Sequence, residues 1–150
     1  MSGIVHISEA ANLGLHAMIL IAGRSEEAVR SRDIAAALGA SEDHLAKVMQ
    51  GLVRSGLVTS TRGPRGGFKL QRPAADIRLL DIYESIEGEM RPKACLLGMP
   101  RCAGQCVLGD FIVSTNEAFR RQFASTRLSD VAGAIPGAPR KTNARTTKDR

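Results

Sequence analysis

The sequence predicts a mainly α-helical fold carrying one small β-hairpin, and three observations lead there. Aliphatic residues recur at i, i+3, i+4 and i+7 in several stretches of helical length. Aromatic residues make up only 3% of the chain and Trp is absent, which leaves aliphatic helix packing as the main source of burial. Glycine and proline crowd together in Arg62 to Gly67, between the short alternating runs LVTS and FKL, as a hairpin tip would require. With 150 residues and 43% hydrophobic composition the chain can bury one ordinary core.

The elements follow in order. Ile7 to Ala22 reads as a helix with Ser8 as cap and Glu9 in its first turn. Beyond Leu13 it is apolar almost all round, which implies deep burial or a shared interface. RSRDIAAALGA predicts a short helix capped by Ser31, running through Leu38 and ended by Gly39. In SEDHLAKVMQGLVRSG, Ser41 is the expected cap, Glu42 and Asp43 favour the positive helix end, and Gly56 terminates. Leu45, Val48, Met49, Leu52 and Val53 must then face the core, leaving Asp43, His44, Lys47, Gln50 and Arg54 outward. A short helix, a Gly-containing turn and a longer helix with a polar outer face form the helix-turn-helix pattern.

The hairpin follows at once. GxxxxGK followed by Ser or Thr would mark a phosphate loop, but Phe68 and Leu70 break that pattern. The glycines instead supply positive-φ positions, Pro64 pre-sets a turn dihedral, and Arg62 and Arg65 are left at the tip. Next to a helix-turn-helix whose second helix enters a major groove, such a tip suits the neighbouring minor groove, where arginine is attracted by the more negative channel. The fold class is therefore a winged helix-turn-helix. Ser31, Arg32, Asp43, His44, Ala46, Lys47, Gln50, Arg54, Arg62 and Arg65 are the expected DNA-binding residues.

After Pro73, DIRLLDIYESIEGEM predicts a helix capped by Asp76, with Ile77, Leu80, Ile82, Tyr83 and Ile86 apolar and Gly88 near its end. Val107 to Ser125 is a long amphipathic helix offering Phe111, Ile112, Phe119 and Phe123, and LSDVAGAI is a last short helix. A long helix outside a small winged module has little of its own to pack on, so dimerisation is its expected role. A two-fold protein also suits a palindromic double-stranded operator. The expected organisation is a DNA-binding region over 7–74, a cysteine loop and dimerisation helices over 75–135, and a disordered basic tail over 136–150.

Charge supports the same partner once it is located. The formal net charge is +6 and the sequence pI about 9.8, but the tail holds five cations against one acid, +4 of the total. Arg54 to Arg78 holds six cations and one acid, so the remaining excess concentrates on the hairpin and its approaches. No signal peptide or membrane span is expected, since the longest apolar run, Ala17 to Ala22, is far below the roughly 18 residues a span needs. A cytoplasmic location would keep thiols reduced. No hydrolytic triad or paired-carboxylate site stands out, and no enzymatic activity is expected.

All three cysteines lie in one Gly- and Pro-containing connection, RPKACLLGMPRCAGQC, at Cys95, Cys102 and Cys106. The C-x6-C-x3-C spacing is not that of a zinc ribbon or a thioredoxin-like pair. Three thiolates on one loop can still converge on a soft centre, and thiolates are the usual ligands of iron-sulfur clusters. Zinc, a metal-free thiol switch and a small electron-transfer iron-sulfur protein are the competing readings.

The succession of apolar first helix, helix-turn-helix, RGPRGGF wing, IYESIEG helix, three-cysteine loop and long helix resembles the iron-sulfur winged-helix repressors, over roughly residues 7 to 134. The resemblance implies a homodimeric bacterial regulator, with a two-iron or four-iron cluster that senses nitric oxide, redox state or iron-sulfur status and controls DNA affinity. It implies Cys95, Cys102 and Cys106 as cluster ligands and Arg62 as the wing arginine. It places Asp43, His44, Ala46 and Lys47 at base-contacting positions. The last cysteine spacing is shorter than in the best-known members, and Gly109 stands where some relatives carry a histidine ligand. Other relatives take the fourth ligand from the partner subunit's first helix, at positions matching His16 or Asn12; Glu9 and Asp110 are further oxygen donors.

Overall fold

Residue 7 opens the described chain: the computed structural model describes residues 7–24, 27–64, 66–91, 106 and 108–135. Its elements are α1 (Glu9–Gly23), α2 (Ser31–Leu38), α3 (Glu42–Arg54), β1 (Val58–Thr61), β2 (Gly67–Leu70), a 3-10 turn (Ala74–Asp76), α4 (Leu79–Glu87), α5 (Gly109–Ser125) and α6 (Leu128–Val131). The mainly helical fold with one antiparallel hairpin is therefore present as expected.

Helix α1 is the centre of the packing and touches α2, α3, α4, β2 and α6. Its near-continuous apolar composition is used within the chain: Leu13, Leu15, Ala17, Met18, Leu20 and Ile21 are all buried. Only Glu9, Asn12 and His16 are exposed along it, a single polar stripe at helical spacing. Ser8 caps it as expected, its hydroxyl accepting from the Ala11 N–H at 3.0 Å, while that hydroxyl also donates to Glu87 at the far end of α4. Gly14 faces α4 closely: a Cβ there would meet Ile86 Cδ1, and the end of that side chain would have to move aside.

Helix α3 inserts Leu45, Val48, Met49 and Leu52 into this core, as its periodicity requires, with Val53 packed at the margin. The Ser41 hydroxyl caps it at 3.2 Å from the His44 N–H. Each fully buried aliphatic side chain of this set contributes about 1.5–3 kcal/mol relative to exposure. Ser31 does not cap α2. The capping position is Arg30, in extended conformation, and Ser31 is the first helical residue. The reason is tertiary: Val29 pairs with Phe68 of β2, which holds the chain extended up to Arg30.

Asp76 is likewise not the cap of α4. It closes a 3-10 turn, and Ile77 then runs extended and fully buried. There it pairs with the chain before α6: the Leu79 N–H donates to the Thr126 carbonyl at 3.0 Å and the Leu128 N–H to the Ile77 carbonyl at 2.8 Å. The two helices that leave this bridge are capped alike. The Asp81 carboxylate accepts from the Arg78 N–H at 2.9 Å, and Asp130 from the Arg127 N–H at 2.8 Å.

Asp81 also takes the Arg78 guanidinium and lies 3.8 Å from Arg72. Burial pushes its carboxyl pKa up, but the Arg78 side-chain and backbone bonds and the two arginine charges outweigh this and hold it below the ordinary carboxylate value. A lowered folded-state pKa stabilises the fold above the unfolded pKa, and that contribution is lost as pH falls through the folded value. Asp81→Ala should therefore cost about 1–2 kcal/mol in urea unfolding at about pH 7, with a smaller gap at about pH 3. An equal gap at both pH values would show that the charge plays no part.

Helix α5 packs on α4 through aromatic rings. Tyr83 meets Phe119 edge-on at 5.4 Å and Phe123 at 5.8 Å, and the two phenylalanines stack at 4.1 Å. Over its 17 residues only Gly109 is buried. Leu108 and Phe111, at its start, are 50% and 55% exposed.

Candidate nucleic-acid interface and cysteine loop

Once Leu45, Val48, Met49 and Leu52 are committed to the core, the polar residues of α3 have one direction left. Asp43, Lys47, Gln50 and Arg54 are exposed, and His44 and Ala46 are half-buried beside them. His44 does not simply face solvent: its Nδ1 lies 3.5 Å from Glu9 Oε1, joining the start of α3 to the start of α1. At the head of α2, Ser31 is half-buried and Arg32 exposed, with the Arg32 guanidinium 3.8 Å from its neighbour Asp33.

The hairpin leaves α3 directly. The Leu57 N–H bonds to the Leu52 carbonyl at 3.1 Å, and Val58 begins β1. Register pairs Val58 with Leu70, Thr59 with Lys69, Ser60 with Phe68 and Thr61 with Gly67. Beyond Thr61 the Gly66 N–H bonds back to the Gly63 carbonyl at 2.9 Å, closing a turn with Pro64 in its second position. Arg62 is exposed where the chain leaves β1; Arg65 lies outside the described residues.

The glycines serve two different purposes. Gly63 and Gly67 have positive φ, 107° and 151°. Gly66 does not; there a Cβ would collide with the Thr61 carbonyl. Gly67 combines both demands, since its Cβ would also come within 2.5 Å of the Val29 carbonyl oxygen.

Sequence reasoning missed the single-residue bridge that Val29 adds to the outer edge of β2. Val29 donates its N–H to the Phe68 carbonyl at 3.0 Å and accepts from the Phe68 N–H at 2.8 Å. The Arg30 guanidinium reaches the tip itself, donating from Nη2 to the Pro64 carbonyl at 2.9 Å. A single paired residue has no alternation to detect. The Gly66-Gly67 pair was the available signal, because adjacent glycines in a strand mark close backbone approach.

Of the expected cluster ligands, Cys95 and Cys102 lie outside the described residues. Cys106 is half-buried, and its carbonyl accepts from the Gly109 N–H at 3.1 Å, which places this residue beside the first turn of α5. Asp110 is exposed on that turn. On α1, His16 is exposed with Nδ1 2.8 Å from the Asn12 carbonyl oxygen. That contact makes Nδ1 the N–H donor and leaves the Nε2 lone pair for a metal, the arrangement in which a ligating histidine is held by its other nitrogen. Among the described residues no three His, Cys, Asp or Glu side chains converge on a metal site. The thiol and imidazole that are described suit iron or zinc by donor chemistry. No helix among the described residues is long and apolar enough to cross a membrane.

Comparison with known proteins adds to this geometry. The chain is 34% identical over 91 residues to protein aau3 of Rhizobium meliloti, covering 61% of this chain and 59% of that protein's length. It is 31% identical over 136 residues to Rv1287 of Mycobacterium tuberculosis, assigned by its name to the HTH-type transcriptional regulators, with coverage of 88% and 84%. Among solved structures, CymR of B. subtilis, described as the global cysteine regulator, superposes with a TM-score of 0.76 at 27% identity, covering 87% of this chain and 98% of CymR. IscR of T. potens superposes with a TM-score of 0.69 at 26% identity, over 85% of each chain. The model of the Rrf2 family, iron-dependent transcriptional regulators, matches residues 7–134, the span that holds the helix-turn-helix, the wing and the cysteine loop, and the chain belongs to that family.

Proposed function

We propose that the chain is a homodimeric repressor that binds a palindromic operator and whose affinity is set by an iron-sulfur cluster held on Cys95, Cys102 and Cys106. The observation that carries the DNA-binding part is the polar outer face of α3, leading without a break into a glycine-rich tip with Arg62 exposed. In this reading residues 7–74 bind DNA. Lys47 and Gln50 supply donors and acceptors to major-groove edges or phosphates, and Arg62 enters the adjacent minor groove with Arg65 beside it. Ala46 offers only its methyl group, suited to a thymine methyl contact.

Residues 75–135 carry the regulation. Helix α5, with a single buried residue and an exposed Leu108 and Phe111, supplies the surface for a second copy of the chain. Cys106 sits against the α5 start, so ligation there bears directly on the helix that joins the two copies. His16 or Asn12 of the partner subunit completes the ligand set, and the exposure of both on α1 supports this. A bound cluster supplies a centre whose charge and coordination respond to redox state, nitric oxide or iron supply. The family description as iron-dependent favours iron over zinc or a bare thiol switch.

Binding to DNA from the chain's own promoter region, followed by anisotropy at several salt concentrations, tests the reading. Arg62→Ala should weaken binding by about tenfold, within the range for loss of a groove-reading arginine, while bound iron stays unchanged. Wild-type binding without sequence preference would reject the regulator reading, and retention of full affinity by the variant would reject the wing contact.

A further inference from the structure

We propose that Arg30 is a positioning residue of the DNA-binding site: its guanidinium fixes the wing tip, and with it Arg62, relative to the helix-turn-helix. The proposal rests on the wing reading above and adds a residue that the reading does not use.

One residue belongs to both units. The Arg30 backbone is the start of α2, its carbonyl accepting from the Asp33 and Ile34 N–H groups at 3.1 Å each. Its side chain ends on the Pro64 carbonyl, 34 residues away in sequence. A two-stranded ribbon alone holds its tip poorly, since isolated hairpins are marginal in water. Here the ribbon is fastened on β2, one residue short of the tip-end Thr61–Gly67 pair, by the two Val29–Phe68 hydrogen bonds, made possible by Gly67. The tip beyond that pair is reached from α2 by Arg30. Pro64 is two residues from Arg62, so the bond acts close to the side chain that enters the groove. Arginine suits the task because it is long, permanently charged and rich in donors, and a charged donor makes the stronger hydrogen bond.

The alternative role for an exposed arginine beside DNA is a direct phosphate contact, and a double-mutant cycle separates the two. Operator affinity is measured for the wild type, Arg30→Ala, Arg62→Ala and the double variant across a range of salt. The Arg30 side chain is exposed, so the variant should fold normally. Positioning predicts a loss of about fivefold in the wild-type background and less than about twofold in the Arg62→Ala background, because residues acting through one another are not additive. It also predicts an unchanged salt slope and faster amide exchange at Gly66 in the free protein. Multiplying losses, or a salt slope reduced by about one, would mean a phosphate contact and would overturn the proposal. If Arg62→Ala itself left affinity unchanged, the wing reading would fail and this inference with it. Additivity with an intact Arg62 effect would sink the inference alone.

Discussion

Gly67→Ala should destabilise the protein by about 2 kcal/mol and weaken operator binding by at least about tenfold. The substitution meets two obstacles at one position. Gly67 has φ 151°, outside the range that a side chain accepts readily, and the added Cβ would lie 2.5 Å from the Val29 carbonyl oxygen, 2.7 Å from its carbon and 3.0 Å from the Arg30 nitrogen. All three are backbone atoms, so no rotamer change relieves the contact. The wing must detach from the Val29–Arg30 segment, losing both Val29–Phe68 hydrogen bonds and the approach of Arg30 to the tip. Urea unfolding and operator titration of the same variant measure the two effects. A variant that binds as the wild type does would mean that the Val29–Phe68 bridge has no role in presenting the wing.

With the cluster ligated as proposed, Cys102→Ala should yield protein free of iron and sulfide and without their visible absorption, while leaving the thermal unfolding of the domain nearly unchanged. Three protein thiolates are few for a cluster, so none is dispensable. The stability expectation comes from the location of the core: among the described residues, its buried aliphatic side chains sit on α1, α2, α3 and α4, at Val29, Leu57, Val58 and Ile77, and at Leu128 of α6. Cys106, described as half-buried beside α5, is outside that set. Retained iron in Cys102→Ala, read by elemental analysis of oxygen-protected protein, would remove this cysteine from the ligand set.

Much of the fold was legible because the determining signals are local. Ser8 and Ser41 cap helices in which the next residues already show helical spacing, and the inward face of α3 is set by its own periodicity. The hairpin was legible from turn chemistry alone. The errors at Ser31 and Asp76 share one cause. Each helix start was displaced by a single-residue bridge to a distant segment, Val29 to Phe68 and Arg78 to Arg127, and such pairs leave no periodic trace. Each displaced residue has the right side chain for a cap, but long-range pairing at Val29 and at Arg78 holds the backbone extended up to Arg30 and Arg78, and those residues take the capping positions.

The candidate DNA-binding face was legible to the extent that it is the remainder after core assignment, which is why Lys47, Gln50 and Arg54 are exposed as expected. Arg30 was not, because nothing in RSRDIAAALGA signals a bond to a carbonyl 34 residues onward. The contact between His44 and Glu9 was equally hidden, since it joins two helices whose crossing only the packed core determines.

Regulation of the proposed kind requires coupling between the cysteine loop and the operator. The direct measurement is the operator affinity of one oxygen-protected preparation before and after exposure to nitric oxide, with iron and acid-labile sulfide counted in both samples. The predicted result is bound iron and sulfide at the start, their loss or modification on exposure, and an affinity change of at least about tenfold, equivalent to about 1.4 kcal/mol. Protein that starts without iron and sulfide even after reconstitution, or that binds the operator equally before and after losing them, would contradict it.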